Sequence, residues 1–383
     1  NPAESVRRAM DKKRMRRLLA LHGISAQTEL SPGRITYSIP VFDLNALAVF
    51  AKNPGAGQPL KEMEDGEEVP AVRRAKRLAV RAVYSLGLDF AVVQVSLDDR
   101  GNPAVADVNP APSLNLRLSE LFAQALNRYA LDFKQALNSA GKPGEQALIG
   151  MDPEFLLSAR SGKVVSASKF LGKEGEAGCE AVQMGERIIY PLAELRPAPA
   201  KEPKQLMRHL LRAMHYASEK IHDRTLLWLA GGMPRPGLAL GGHLHLSGIW
   251  LNAHLLRVFD NYLALPLVLI EDDTTSKRRP RYGFLGDFRR QFHGGFEYRT
   301  LPSWIVSPRA AKGVLALARL IADHYLDLKK MPLYDDAMVR AFYAGNKPKI
   351  VEAARALWPD LEQLPQYGPL RQYIEPLKRQ MLS

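Results

Sequence analysis

The sequence predicts a mixed α+β protein built in two parts. Three observations carry that reading. β-rich runs such as "LDFAVVQVSL" are set off by hairpin-type turns, and stretches such as "KEPKQLMRHLLRAMHYASEKIH" repeat apolar residues at helical spacing. The segment "NSAGKPGEQ" (138–146) is the best linker in the 383 residues. That length has room for two or three domains, each with its own core. We therefore expect a first module over 1–140, a linker over 141–145, a second core over 146–310, and C-terminal helices over 311–383 packed on it.

The elements follow in order. Residues 4–22 read as one helix ended by Gly23, with Val6, Met10, Leu18 and Leu21 as packing positions. Residues 35–50 read as a strand followed by a second strand or short helix, and 53–70, rich in Gly, Pro and acid, as a loop. A basic amphipathic helix over about 71–86 stops at Gly87. Two β-rich runs then flank "DDRGNP", a hairpin signal, and a helix spans 118–138.

The second half opens with "IGMDPEFLLSARSGKVV" (149–165), read as a strand, a turn at Ser161-Gly162 and a return strand. A short strand follows within 190–199. A helix comes next, with Pro203 in its first turn and Leu206, Leu210, Met214, Ala217 and Ile221 on one stripe. Strands at 225–230 and 242–250, a helix at 253–270, a strand at 295–300 and helices to the end complete the reading. No solenoid repeat is evident.

The formal net charge of +13 favours anionic partners: nucleotide phosphates, acidic peptides, nucleic acid or envelope polymers. A basic solvated surface is the plain alternative. The Arg and Lys residues are spread over many helices, with no zinc finger, aromatic RNA-binding signature or basic tail, so no specific nucleic-acid site is expected. The longest apolar run, Tyr262 to Ile270, is shorter than a membrane span. Cys179 is the only cysteine, which rules out an intrachain disulfide and suits a reducing cytoplasm. The chain opens at Asn1 with no signal peptide and no initiator Met, and a start inside the fold is expected.

Four strand-like pieces carry the informative polar residues: Asp152 and Glu154; Glu194 and Arg196 in "LAELRP"; His243 and His245 in "LGGHLHLSG"; Glu297 and Arg299 in "GGFEYRTLPS". Each pair is spaced i, i+2, so on an unbroken strand both members face one side, about 6–7 Å apart. Neighbouring strands would gather them into one acidic site. Crowded carboxylates take up protons unless a cation compensates them. A carboxylate-dominated set suits Mg²⁺, and the imidazoles shift the balance toward Mn²⁺. The plain alternatives are a solvent-facing edge strand for the acids and hydrogen-bonded core residues for the histidines.

"GMDPEF", "AELRP", "GGHLHLSG" and "YGFLGDFRRQFHGGFEYRTLPS", in that order over residues 147–310, resemble the phage-type carboxylate–amine ligases, or type 2 amidoligases, of the glutamine synthetase-like fold. The resemblance implies an antiparallel funnel holding ATP and two or three divalent ions. It implies metal ligation by Asp152, Glu154, Glu194, His243 and Glu297, and a nucleotide contact by His245. Arg299 resembles the arginine that stabilises the transferred phosphoryl group, and Arg289 or Arg290 a second phosphate or substrate arginine. Asp152 is shorter than the usual Glu, and the small N-terminal domain of glutamine synthetase has no counterpart here. The implied reaction joins an amino acid or small amine to a carboxylate of a peptide, protein or envelope precursor through an acyl phosphate.

In the first half, "NPAESVRRAMDKKRMRRLLALHGISAQT" and "LGLDFAVVQVSLDDRGNPAVADVNPAPSLN" resemble parts of ATP-grasp ligases, nearest the spore-coat-associated group. That implies Mg²⁺ ligation by Asp107 and Asn109, with Lys12 and, more weakly, Asn115 near the nucleotide phosphates. Gln94 stands where the family has an acid, and the lid region between Thr28 and Arg34 is absent or drastically shortened. A second ATP-dependent centre and a degenerate remnant both fit.

Three rival functions remain from sequence: a metallohydrolase, since His-x-His with acids also binds Zn²⁺; a non-catalytic coat-type protein that keeps a ligase fold; and a charge-driven nucleic-acid binder. Trp228, Trp250 and Trp304 read as packing. Cys179 reads as incidental within the Gly-rich loop "GKEGEAGCE", a loop that could also close over substrate. "EDDTTSKRRPRYG" reads as a loop bringing Lys277, Arg278 and Arg279 to an anionic ligand, or as a solvated charge run.

Overall fold

The computed structural model describes residues 1–27, 35–52, 61–63, 69–98, 100–139, 147–292 and 294–383. The chain divides into two compact units, Asn1–Asn138 and Ser139–Ser383. The expected linker over 141–145 and the shortened stretch over 28–34 lie outside the described residues.

The first unit opens with α1 (Ala3–Met10) and α2 (Lys12–Leu21). The single helix expected over 4–22 is broken because the Asp11 carboxylate accepts from the Lys13 and Arg14 N–H groups and so caps a fresh helix. Met10 at the break is 65% exposed and is not a packing residue. Then come β1 (Thr36–Phe42), β2 (Asn45–Ala46), β3 (Phe50–Lys52), β4 (Lys61–Glu62), α3 (Pro70–Ser85), β5 (Phe90–Leu97), β6 (Pro103–Asn109) and α4 (Leu116–Ser139). β4 lies in the stretch read as a loop. The strands form an antiparallel sheet in the order β4–β3–β1–β5–β6, with β2 on β1. Ile39, Val41, Val93, Val95, Val105 and Val108 bury one sheet face in a core shared with Met15, Leu19, Ala75, Ala79 and Val83 of the helices.

His22, at the end of α2, is buried, and burial together with the charges of Arg81 and Arg8 pushes its pKa from 6.5 down to about 3. The folded imidazole stays neutral where the unfolded one takes a proton, so stability is lost as pH falls through that interval. The expected loss is about 1.4 kcal/mol per pH unit below the unfolded value. Urea unfolding of wild type and His22→Leu at pH 7.5 and 5.5 measures it. The wild type should lose about 1 kcal/mol more than the variant between the two conditions; equal losses would remove His22 as the cause.

The second unit holds two antiparallel sheets. Its elements are β7 (Leu148–Met151), β8 (Glu154–Ser158), β9 (Val164–Val165), β10 (Ala177–Met184), β11 (Arg187–Leu195), α5 (Pro203–Lys220), β12 (Leu227–Leu229) and β13 (Leu244–Ser247). They continue with α6 (Ala253–Phe259), α7 (Leu265–Leu267), β14 (Phe288–Arg290), β15 (Phe296–Tyr298), α8 (Pro308–His324), α9 (Asp336–Ala344), α10 (Lys347–Glu362) and α11 (Tyr367–Leu382). One sheet runs β10–β11–β8–β12 with β9 on β8; the other runs β14–β15–β13–β7. Strands β10 and β14 were not read from sequence. Cys179 is buried on β10, not placed in a loop. The helical stretch Ala253–Ile270 is long and apolar enough to cross a membrane by length and composition, and longer than the run read from sequence, but most of it is buried inside the unit.

The quoted strand over 149–165 is also broken. Pro153 has no N–H to give to a ladder, and the chain changes sheet there: β7 pairs with β13, while β8 pairs with β11, β12 and β9. Asp152 and Glu154 therefore do not share a face of one strand. The step is held by backbone bonds, Glu154 N–H to Gly241 O (2.9 Å) and Leu195 N–H to Pro153 O (3.1 Å), and by Ser303 Oγ–H to Glu154 O (2.5 Å).

Candidate functional site

Strand register brings the distant motifs together in the second unit. On β13, His245 lies opposite Gly150 of β7 and opposite Glu297 of β15, and Glu297 lies opposite Arg289 of β14. In the other sheet Glu154 of β8 lies opposite Glu194 of β11. Two carboxylates so paired repel each other across the strands.

At the centre, single donor atoms of Asp152, His243 and Glu297 all lie within 4.8 Å of one another. His243 Nδ1 is 3.1 Å from Asp152 Oδ1 and 3.1 Å from Glu297 Oε1. One ring N–H cannot point at both oxygens, so three ligand atoms converge on one position. His245 Nε2 lies 2.9 Å from Asp152 Oδ2. The fully buried Glu297 also accepts from Arg289 Nε (2.8 Å), Arg299 Nη1 (2.9 Å) and Gln291 Nε2 (3.2 Å). Gln291 was missed from sequence, because a neutral amide beside two arginines gives no signal of its own.

Glu154, on the adjoining sheet, lies within electrostatic reach of Asp152 and His243. Its Oε2 accepts from the Gly241 N–H at 2.7 Å. Glu194 is held by Arg196 Nε at 2.5 Å, and the same guanidinium bonds the Lys173 carbonyl. So the structure joins Asp152, His243 and Glu297 in one cluster, with His245, Arg289 and Arg299 around it, and places Glu154 and Glu194 as a pair in the adjoining sheet. Arg290, on the same short strand as Arg289, is exposed and lies over the Phe288 ring.

The charges show the strain of that packing. Burial pushes the Asp152 carboxyl up, and the imidazoles of His243 and His245 more than offset it, leaving it well below the usual range. Burial pulls His243 down, but Asp152 and Glu297 overcome this and raise it to about 9. Burial raises Glu154, partly opposed by His243 and by the Gly241 N–H. Burial, helped by the Asp152 charge, raises Glu194 to about 7 against the pull of Arg196.

The donor set suits a divalent cation. Asp152 Oδ1 is buried and, among the described residues, no hydrogen-bond donor is aligned on it. Two carboxylate oxygens and the His243 ring nitrogen meet there, which is a ligand arrangement for Mg²⁺ or Mn²⁺.

Lys12, Asp107, Asn109 and Asn115 lie in the first unit. Asp107 and Asn109 flank the buried Val108 on β6, and Asp107 forms an ion pair with Lys12. Asn109 Oδ1 accepts from the Ala111 N–H, and Asn115 Oδ1 from the Leu118 N–H at the start of α4. Gln94, opposite Asp107 on β5, donates to Ser38 Oγ.

Of the three expected basic residues Lys277 is exposed, whereas Arg278 and Arg279 are buried and not solvated. They are 2% and 6% exposed. Arg279 pairs with Glu271, and Arg278 donates to backbone carbonyls of residues 299–301.

None of the curated proteins matches the sequence. Among solved structures, a bifunctional glutathione synthetase from Pasteurella multocida is 10% identical over 62% of this chain and 48% of its own, with a TM-score of 0.36. The chain thus spans about half the length of that protein. A Plasmodium falciparum glutamine synthetase is 8% identical over 93% and 96%, with a TM-score of 0.38, and apo GmaS is 14% identical over 71% and 82%, at 0.31. At these scores the fold description rests on the strand order above. The family model for the phage phiEco32-like COOH.NH2 ligase type 2 matches residues 149–383, running through the C-terminal helices beyond the 147–310 stretch that carries the motifs. With well over half its length matched, and with the cluster Asp152–His243–Glu297 inside that match, the chain belongs to the phage phiEco32-like COOH.NH2 ligase type 2 family.

Proposed function

We propose that this protein is an ATP-dependent carboxylate–amine ligase that works through an acyl phosphate. The acyl substrate is a carboxylate of a peptide, protein or envelope precursor, and the amine is an amino acid or small amine. The observation that carries the reading is Glu297, buried among His243, Arg289 and Arg299 with Asp152 alongside.

A carboxylate does not react with an amine at neutral pH. Transfer of the ATP γ-phosphoryl group to one carboxylate oxygen releases ADP and gives an acyl phosphate. Attack by the amine then forms the amide bond and releases phosphate. Arg299 and Arg289, both paired with Glu297, would offset charge spread over the transferring oxygens. Asp152, His243 and Glu297, with Glu154 and Glu194 beside them, would hold Mg²⁺ or Mn²⁺, which supplies charge neutralisation at the phosphates when bound. His245, anchored on Asp152, would contact the nucleotide. A carboxylate near the cluster takes the proton lost by the amine.

We assign the chemistry to the second unit. The ATP-grasp-like reading of the first unit rests on Lys12, Asp107 and Asn109. The neutral Gln94 at the missing acid's position, bonded to Ser38, favours a remnant there over a second centre.

The deciding experiment is ATP-to-ADP turnover with Mg²⁺, screened against amino-acid and peptide pools. We expect turnover that depends on both a carboxylate and an amine, with an amide product. Hydrolysis of a substrate without ATP would instead establish a metallohydrolase. Absence of ATP binding by calorimetry would establish a non-catalytic role.

A further inference from the structure

We propose that Arg278 is a positioning residue: its buried guanidinium fixes the chain that carries Glu297 and Arg299 against the Gly241-Gly242 segment that carries His243. The inference rests on the ligase reading above and adds a residue outside the cluster.

The argument starts from carbonyl directions. In an extended strand, successive carbonyls point to opposite edges. After β15 ends at Tyr298 they do not. The carbonyls of Arg299, Thr300 and Leu301 all converge on Arg278, at 3.4, 3.0 and 3.0 Å. Three aligned carbonyl dipoles repel one another unless a cation with several donors sits among them. Arginine offers five N–H donors in a fixed planar fork, which a lysine ammonium cannot reproduce.

Leu301 O is shared. It also accepts from the Gly242 N–H at 3.1 Å, so a single carbonyl joins Arg278 to the entrance of β13. The neighbouring Gly241 N–H bonds Glu154. The guanidinium therefore sits behind both arms of the site. Its path is left open by Gly283, where an added Cβ would lie 1.8 Å from Arg278 Nη1 and 2.5 Å from Thr300 O. The charges facing it are Glu154, Asp287 and Glu271, with Arg279 opposing them.

The test compares wild type, Arg278→Lys and Arg278→Ala. Each is assayed for thermal melting, for ATP turnover on the best wild-type substrate pair, and for Mn²⁺ affinity by calorimetry. We expect Arg278→Lys to fold and to lose about tenfold or more in kcat, with the KM for ATP nearly unchanged. Arg278→Ala should lose more and should regain turnover with guanidinium ion at sub-denaturing concentration, and not with the same concentration of sodium. Wild-type turnover in Arg278→Lys would overturn the proposal. So would an Arg278→Ala protein whose activity and melting temperature fall together without guanidinium rescue. A wild type that fails to turn over ATP sinks the ligase reading instead. Arg278 is then judged by Mn²⁺ affinity alone: weaker binding in the variants, restored by guanidinium, supports it, and unchanged binding refutes it.

Discussion

Glu297→Gln should reduce ATP turnover by about a hundred- to thousand-fold while leaving the protein folded. The amide has nearly the same shape as the carboxylate, so the packing of a fully buried side chain is kept. The charge is not kept. His243 Nδ1, Arg289 and Arg299 all converge on Glu297; both arginines would lose that countercharge at once, and His243 would keep only Asp152 at 3.1 Å. One of the three convergent donor atoms also becomes a weak ligand, so Mn²⁺ affinity should fall by at least about tenfold. Turnover and calorimetric titration of wild type and variant decide the matter. Undiminished turnover would mean that Glu297 is a structural ion-pair partner and that the chemistry lies elsewhere.

Gly241→Ala should be almost as damaging, although residue 241 carries no functional side chain. A Cβ there would lie 2.2 Å from His243 Nε2 and 2.6 Å from Cε1. The ring must swing away, which takes Nδ1 off the point shared with Asp152 and Glu297. We expect a loss of about a hundredfold in turnover, comparable to removing one well-placed catalytic contact. Overpacking should also cost about 1–3 kcal/mol in stability. The control is Gly172→Ala, where an added Cβ meets nothing within 4 Å and φ is ordinary; it should behave as wild type. If Gly241→Ala keeps full activity, the position of the His243 ring is not what the site depends on.

Much of this was legible in the sequence, and the failures have physical causes. The hairpin at "DDRGNP" pairs as β5 and β6, because its turn residues fix the reversal. The α5 stripe is buried at Leu206, Leu210 and Ala217, as its spacing requires. The motif residues Asp152, His243 and Glu297 meet, but not for the reason that selected them. Alternation along one strand was the argument, and Pro153 interrupts that strand; a proline within an apolar run was the available warning. β10 was hidden because "GKEGEAGCE" reads as loop, yet Ala177–Met184 finds a partner in β11 only once the chain has folded back. The role of Arg278 could not be read from a charge run, since burial is decided by residues more than twenty positions away.

The Asp152-Pro153 step has a further consequence. It is a seam between two sheets: Asp152 sits on the stitch, His243 and Glu297 belong with the sheet on one side, and Glu154 and Glu194 with the sheet on the other. A cation held by both sets would act as a rivet, since it would be fully bound only with both sheets docked in register. Loading with Mn²⁺ would then raise the melting temperature of the whole second unit by mass action, and the cage would be among the last features to form as that unit folds.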